Sequence, residues 1–176
     1  MRSAVCIHPI KVNRIIKEFL KEVVILPVDI EIDYDNDSSV NYAVCGDLSD
    51  DVDDNDIIVY VPNWKKADYK HDKGGKYFRQ DFVKRCPLAK GFSDVTISLL
   101  HEIGHTYTKV YLPDDYSREK EYSALDAITD ATERCFAYFK MLDEVLATDW
   151  AIEWLQDTDN RKLAKAFEKK FWSCFE

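Results

Sequence analysis

Leu99-Leu100-His101-Glu102-Ile103-Gly104-His105 lies within a run, Asp94 to Lys109, that contains no proline and a single glycine. Residues four apart in a helix occupy neighbouring turns of one face, so a helix here stacks His101 against His105. Leu99, Leu100, Ile103, Tyr107 and Val110 project roughly to the opposite side, and the pattern predicts a helix over 94–109 with one face packed and one face polar. Gly104 inside that helix costs about 1 kcal/mol relative to alanine, which points to close backbone approach by a neighbouring element or a substrate.

Outward from this helix, Pro113 is the only proline after Ser93 and Gly104 the only glycine, so the C-terminal half reads as mainly helical. Further helices are predicted over 124–155, with room for a break, and over 161–172. On the N-terminal side, Val12, Ile15, Ile16, Phe19 and Val23 recur at helical spacing behind Pro9 and predict a helix over 9–23. Val28 to Tyr34 alternates apolar and acidic side chains as a strand with one wet face does. Residues 42–45 form a second short candidate strand, and Ile57 to Val61 a buried one ended by Pro62-Asn63. Five aspartates between Asp50 and Asp56 repel one another and favour a solvated loop, and the central glycine and terminal glutamate of a calcium-binding EF-hand are missing. Lys65 to Gly91 is basic, holds Gly74-Gly75 and Pro87, and is predicted to be loop-rich with a short helix near Phe82.

A chain of 176 residues with 46% hydrophobic content suits one domain, 1–176. Thirty-three acidic against twenty-four basic residues give a net charge of -9, which opposes attraction to phosphate backbones and anionic membranes. The five cysteines are scattered and include no Cys-x-x-Cys pair, as expected of reduced thiols in a cytoplasmic protein. The stretch before His8-Pro9 is too short in apolar residues for a signal peptide, and no apolar run approaches the roughly 20 residues that span a bilayer.

Two imidazoles on one helical face are the start of a tetrahedral zinc site. Glu102 lies about 100° round from His101, where it can act as general base on a water without taking a ligand position. Such a site takes three protein ligands and leaves one position for water. A third histidine does not follow the motif, since Thr108 and Tyr111 stand where the extended pattern has glycine and histidine. His8 and His71 belong to unrelated N-terminal segments. Glu133 and Glu144 are the helical candidates. Ala147 and Ala151 clear the face beside Glu144, whereas Phe136 and Phe139 crowd Glu133, so Glu144 is favoured. Tyr107, Tyr111 and Tyr116 are unranked candidates for donating to a developing oxyanion.

With Val61-Pro62-Asn63 at a strand end, Leu99 to His105 on a helix, and the Glu-x-x-Ala-x-x-x-Ala segment Glu144 to Ala151, the chain resembles the ImmA/IrrE family of phage- and mobile-element-associated zincin metallopeptidases. The resemblance implies an α+β, minimal zincin-like domain, its small mixed or antiparallel sheet packed on the motif helix. It further implies a third ligand that is a helical glutamate, and intracellular cleavage of a regulatory protein such as a repressor. One position departs from that family: Thr148 replaces the Asn or Asp commonly found four residues after the ligand glutamate, with Asp149 next to it.

The expectation is a cytoplasmic zinc metallopeptidase with ligands His101, His105 and Glu144, general base Glu102, and a protein or peptide substrate. Its alternatives are a catalytically inactive zincin-fold regulatory binding protein and a zinc hydrolase of non-peptide amides. No direct nucleic-acid or membrane partner is expected. At physiological salt the isolated protein should therefore leave duplex DNA unshifted in a gel, and tight, salt-resistant binding would contradict the charge argument.

Overall fold

In the computed structural model, residues 9–24, 30–33, 44–45, 57–60 and 73–174 are described, with side chains for 10–24 and 76–174. Helix α1 spans Pro9–Val23, and its apolar stripe of Val12, Ile15, Ile16, Phe19, Leu20 and Val23 is buried along its length. That stripe packs on α7, Thr158–Trp172, where the Phe19 ring stacks on Phe167 at 4.3 Å, and Phe19 also meets Trp154, which precedes α7, edge-on at 6.4 Å. Helix α7 begins three residues before the predicted 161 because the Asp157 carboxylate accepts hydrogen bonds from the amides of Asp159 and Asn160, a standard N-cap.

Of the residues with described side chains, 82% are helical and none lies in a strand, which corrects the expectation of an α+β fold built on a sheet: this is a helical fold. The extended segments are three short backbone stretches, β1 Ile30–Asp33, β2 Val44–Cys45 and β3 Ile57–Tyr60. They pair in the order β1-β3-β2, with β1 parallel and β2 antiparallel to β3 and Ile30 opposite Ile57, and β2 neighbours the motif helix. The physical reason for the correction is size. No strand exceeds four residues, whereas the core among residues with described side chains is drawn mainly from helices. The expected Val61-Pro62-Asn63 strand end and the aspartate-rich loop at 50–56 lie outside the described residues.

The short helix expected near Phe82 is present as α2, Lys73–Arg85, and it takes up more of the segment than the loop-rich reading allowed. Gly74-Gly75 falls in its first turn, where amides have no partner within the helix, so the glycines start it rather than break it. Phe82 is buried, and Phe78 packs against the core. A 3-10 turn over Pro87–Gly91 leads into α3, Asp94–Thr108. Ser93 does not cap α3 with its own side chain. Glu168 of α7 takes that role: its Oε1 accepts from the Ser93 and Thr96 hydroxyls, both at 2.6 Å, and from the Ser93 amide. A carboxylate at this end also meets the positive end of the helix dipole.

The predicted long helix over 124–155 is divided. Helix α4 runs Arg118–Asp126 behind Ser117, α5 runs Ala131–Tyr138 behind Asp130, and α6 runs Leu142–Gln156. Asp130 makes the first break by accepting from the amides of Thr132 and Glu133. Helix α6 lies against α3. The approach is closest at Gly104, where a Cβ would sit 2.9 Å from both the carbonyl carbon and the Cα of Ala147. Ala147 and Ala151 are fully buried.

Gly104→Ala therefore separates two opposed effects. Helix propensity alone gives a gain of about 1 kcal/mol, and overpacking against backbone costs about 1–3 kcal/mol. Chemical denaturation should show a net loss of stability. A stabilised variant would mean that the two helices are free to part.

Candidate metal centre

The contact between α3 and α6 determines which side chains meet. His101 and His105 on α3 and Glu144 on α6 are 5%, 4% and 1% exposed, and one donor atom from each lies within 4.8 Å of the others. His101 Nε2 is 3.0 Å from Glu144 Oε2, and His105 Nε2 is 3.7 Å from Glu144 Oε1. The two imidazole centroids are 4.8 Å apart and nearly perpendicular, and the Phe78 ring closes on His101 at 4.9 Å. On its far side, His101 Nδ1 is 3.1 Å from Thr148 Oγ1. A proton on Nδ1 donated to that hydroxyl leaves the Nε2 lone pair facing Glu144 and His105.

Around Glu144 lies a second set of groups. Arg118, the first residue of α4, donates from Nη2 to Glu144 Oε1 at 3.0 Å and places Nε 3.1 Å from Asp143 Oδ2. Its guanidinium lies 5.4 Å from the Tyr122 ring centre. Tyr138 presents its hydroxyl to Glu144. Tyr116 lies by Asp143 and donates to Glu121 Oε2 at 3.2 Å. A cavity of about 370 Å³ between α4 and α5 is lined by Tyr122, Leu125, Arg134, Cys135 and Tyr138 among others, so Tyr138 is a wall shared by the cavity and the centre.

Burial and charge act against each other here. Burial pulls the His101 pKa down, but the hydrogen bond and charge of Glu144, with the charges of Glu102 and Asp143, outweigh it and leave it raised. For His105, burial and then the neighbouring His101 lower it to about 3, so this imidazole is neutral. Glu144 is pushed up by burial and pulled down more strongly by His101, His105 and Tyr138, to about 2. Without a metal, His101 and Glu144 thus form a buried ion pair with His105 beside it.

The other candidates are elsewhere. Glu133 is exposed in the first turn of α5, outside the cluster. Tyr107 donates to the Val23 carbonyl at 3.2 Å and stacks on Trp150 at 4.8 Å, on the packed side of α3. Tyr111 is exposed. Glu102 is half-buried and adds its charge to His101. His8 and His71 lie outside the described residues. Arg118, Asp143 and Tyr138 carry no sequence signal of the kind that marks the histidines: they come from three different helices, and only packing joins them.

The donor set fits a metal ion. Tetrahedral zinc bonds of about 2.0–2.2 Å hold neighbouring donors about 3.3 Å apart. The separations of 3.0 Å to one oxygen of Glu144 and 3.7 Å to the other lie on either side of that value, and the three donors together fall within 4.8 Å. Two imidazole nitrogens and a carboxylate are donors that zinc and related divalent ions accept. No family model, curated protein or solved structure matches the chain.

Glu144→Ala should weaken zinc binding strongly and Glu133→Ala should leave it nearly unchanged, as read by competition with a calibrated chelator. The reverse ranking would move the third ligand to α5. The raised His101 pKa sets the pH dependence. A proton held on that imidazole in the metal-free protein must leave before Nε2 can bind, so affinity falls as pH falls through that pKa. Calorimetry over a pH series, in buffers of different ionisation heat, should show proton release on metal binding that grows as pH falls through that pKa. Uptake with no proton release would contradict the His101–Glu144 ion pair.

Proposed function

We propose that the chain is a zinc-dependent peptidase acting on an intracellular, regulatory protein, with His101, His105 and Glu144 as ligands and Glu102 as general base. The observation that carries this reading is the convergence of two buried imidazoles and a buried carboxylate on one point, beside the helix that also bears Glu102. A core selected only for stability has little use for such a group. Desolvating a carboxylate costs several kcal/mol, and a buried ion pair returns that cost incompletely compared with apolar side chains of similar volume.

A bound zinc ion supplies Lewis acidity, which lowers the pKa of water and polarises a scissile carbonyl. Glu102 takes the proton from the attacking water and passes it to the departing amine. Thr148 Oγ1, 3.1 Å from Nδ1, supports the His101 ring on the side away from Glu144 and can accept the Nδ1 proton when Nε2 serves as ligand. His105 is neutral and ready to coordinate. The resemblance to the ImmA/IrrE metallopeptidases, which rests on the motif residues and the Glu144 to Ala151 segment, favours a peptide bond over other amides. The apolar recess that Tyr138 lines offers a place for a substrate side chain.

Glu102→Gln tests this reading, because the amide fills the same space and cannot accept the proton. On a quenched-fluorescence peptide library the zinc-loaded variant should lose about 10²–10⁴-fold in kcat/KM while keeping its zinc stoichiometry. Near-wild-type hydrolysis by the variant would remove Glu102 from the mechanism. Absence of cleavage by the zinc-loaded wild type, across the library and denatured protein substrates, would remove the peptidase reading.

A further inference from the structure

Arg118 is the one arginine or lysine, among the described residues, that reaches a proposed ligand by hydrogen bond, and the two oxygens of Glu144 have different sets of partners. Oε1 accepts from Arg118 Nη2 at 3.0 Å and lies 3.7 Å from His105 Nε2, whereas Oε2 faces His101 Nε2 at 3.0 Å. The guanidinium hydrogen-bonds Glu144, lies beside Asp143 as an ion pair, with Nε 3.1 Å from Oδ2 but without hydrogen-bond geometry, and sits near the Tyr122 ring. Asp143 is 2% exposed and next in sequence to the ligand, and its other oxygen, Oδ1, accepts the Glu144 amide at 2.9 Å. The Arg118 side chain thus keeps a permanent positive charge against both carboxylates and aims one N–H at Glu144 Oε1.

We propose that Arg118 is the positioning residue of the metal centre: by occupying Oε1 it restricts Glu144 to one-oxygen coordination through Oε2 and so keeps one place open beside the two imidazoles. This rests on the metal-site reading. A carboxylate free of such a partner can turn both oxygens to an ion, which would fill the place a catalytic site leaves for water. Asp143 balances the charge of Arg118, so the cation is held near the centre without leaving the cluster with uncompensated positive charge. The short helix α4, capped by Ser117, exists in this arrangement to deliver Arg118 to that spot.

Cobalt(II) substitution tests the inference, because four-coordinate cobalt absorbs visible light several-fold more strongly than five-coordinate cobalt, and the readout does not depend on turnover. The wild type should give the intense four-coordinate spectrum. In Arg118→Met/Asp143→Asn, which removes the buried charge pair together, absorption should fall two-fold or more as the second oxygen joins. Arg118→Gln, which leaves an amide beside Asp143, should move the same way and serves if the double variant does not fold. Arg118→Lys, which keeps a cation for Oε1, should stay near the wild-type spectrum. A five-coordinate wild type, or neutral variants indistinguishable from a four-coordinate wild type, would overturn the role of Arg118 while leaving the metal site in place. Failure of the wild type to take up cobalt or zinc at neutral pH would overturn the metal-site reading itself.

Discussion

The backbone contact between α3 and α6 at Gly104 and Ala147 is the constraint on which the centre depends. Helices ordinarily pack 8–10 Å apart, according to the side chains between them. Here one helix contributes no side chain and the other a methyl group, so the axes close until a single Cβ at Gly104 would collide with Ala147. Gly104 lies between His101 and His105, while Ala147 lies between Glu144 and Thr148. The same contact therefore brings Glu144 against both imidazoles and Thr148 against the back of His101. A wider crossing would leave the carboxylate beyond reach of the rings.

That closeness has an energetic cost which the surrounding residues offset. Asp143, Glu144, His101 and His105 are all buried, and an unpaired charge among them would be strongly destabilising. Pairing answers the demand twice: His101 with Glu144 inside the centre, and Arg118 with both carboxylates at its edge. Phe78 closes over His101, and the aromatic chain continues from it to Phe139 at 5.3 Å. Low local polarity strengthens these pairings and holds the groups in a fixed arrangement. The far ends of the frame are tied in the same manner, since Glu168 of α7 anchors the start of α3.

How much of this was legible in the sequence varies with the range of the interaction. Local periodicity identified α1 within its observed bounds, and the His101–His105 pair follows from spacing four along one helix. The small residues at 104, 147 and 151 were readable as signs of close approach, although sequence could not say that they meet each other. The division of 124–155 depends on Asp130, whose side chain competes with the helix by bonding to the amides beyond it, and a polar residue in a helical run does not announce that role. Gly74-Gly75 misled in the opposite sense, because a glycine pair reads as a breaker wherever it falls. The expectation of a sheet-based fold failed because short alternating stretches give the same local signal whether or not they build a layer. Arg118 was invisible, since its partners lie on another helix and no spacing connects them.

Anomalous diffraction from crystals grown with zinc, recorded on both sides of the zinc absorption edge, bears most directly on whether these side chains form a metal centre. A single strong peak within bonding distance of His101 Nε2, His105 Nε2 and a Glu144 oxygen is the predicted result. Zinc bound only elsewhere on the protein, with His101 still paired to Glu144, would contradict it.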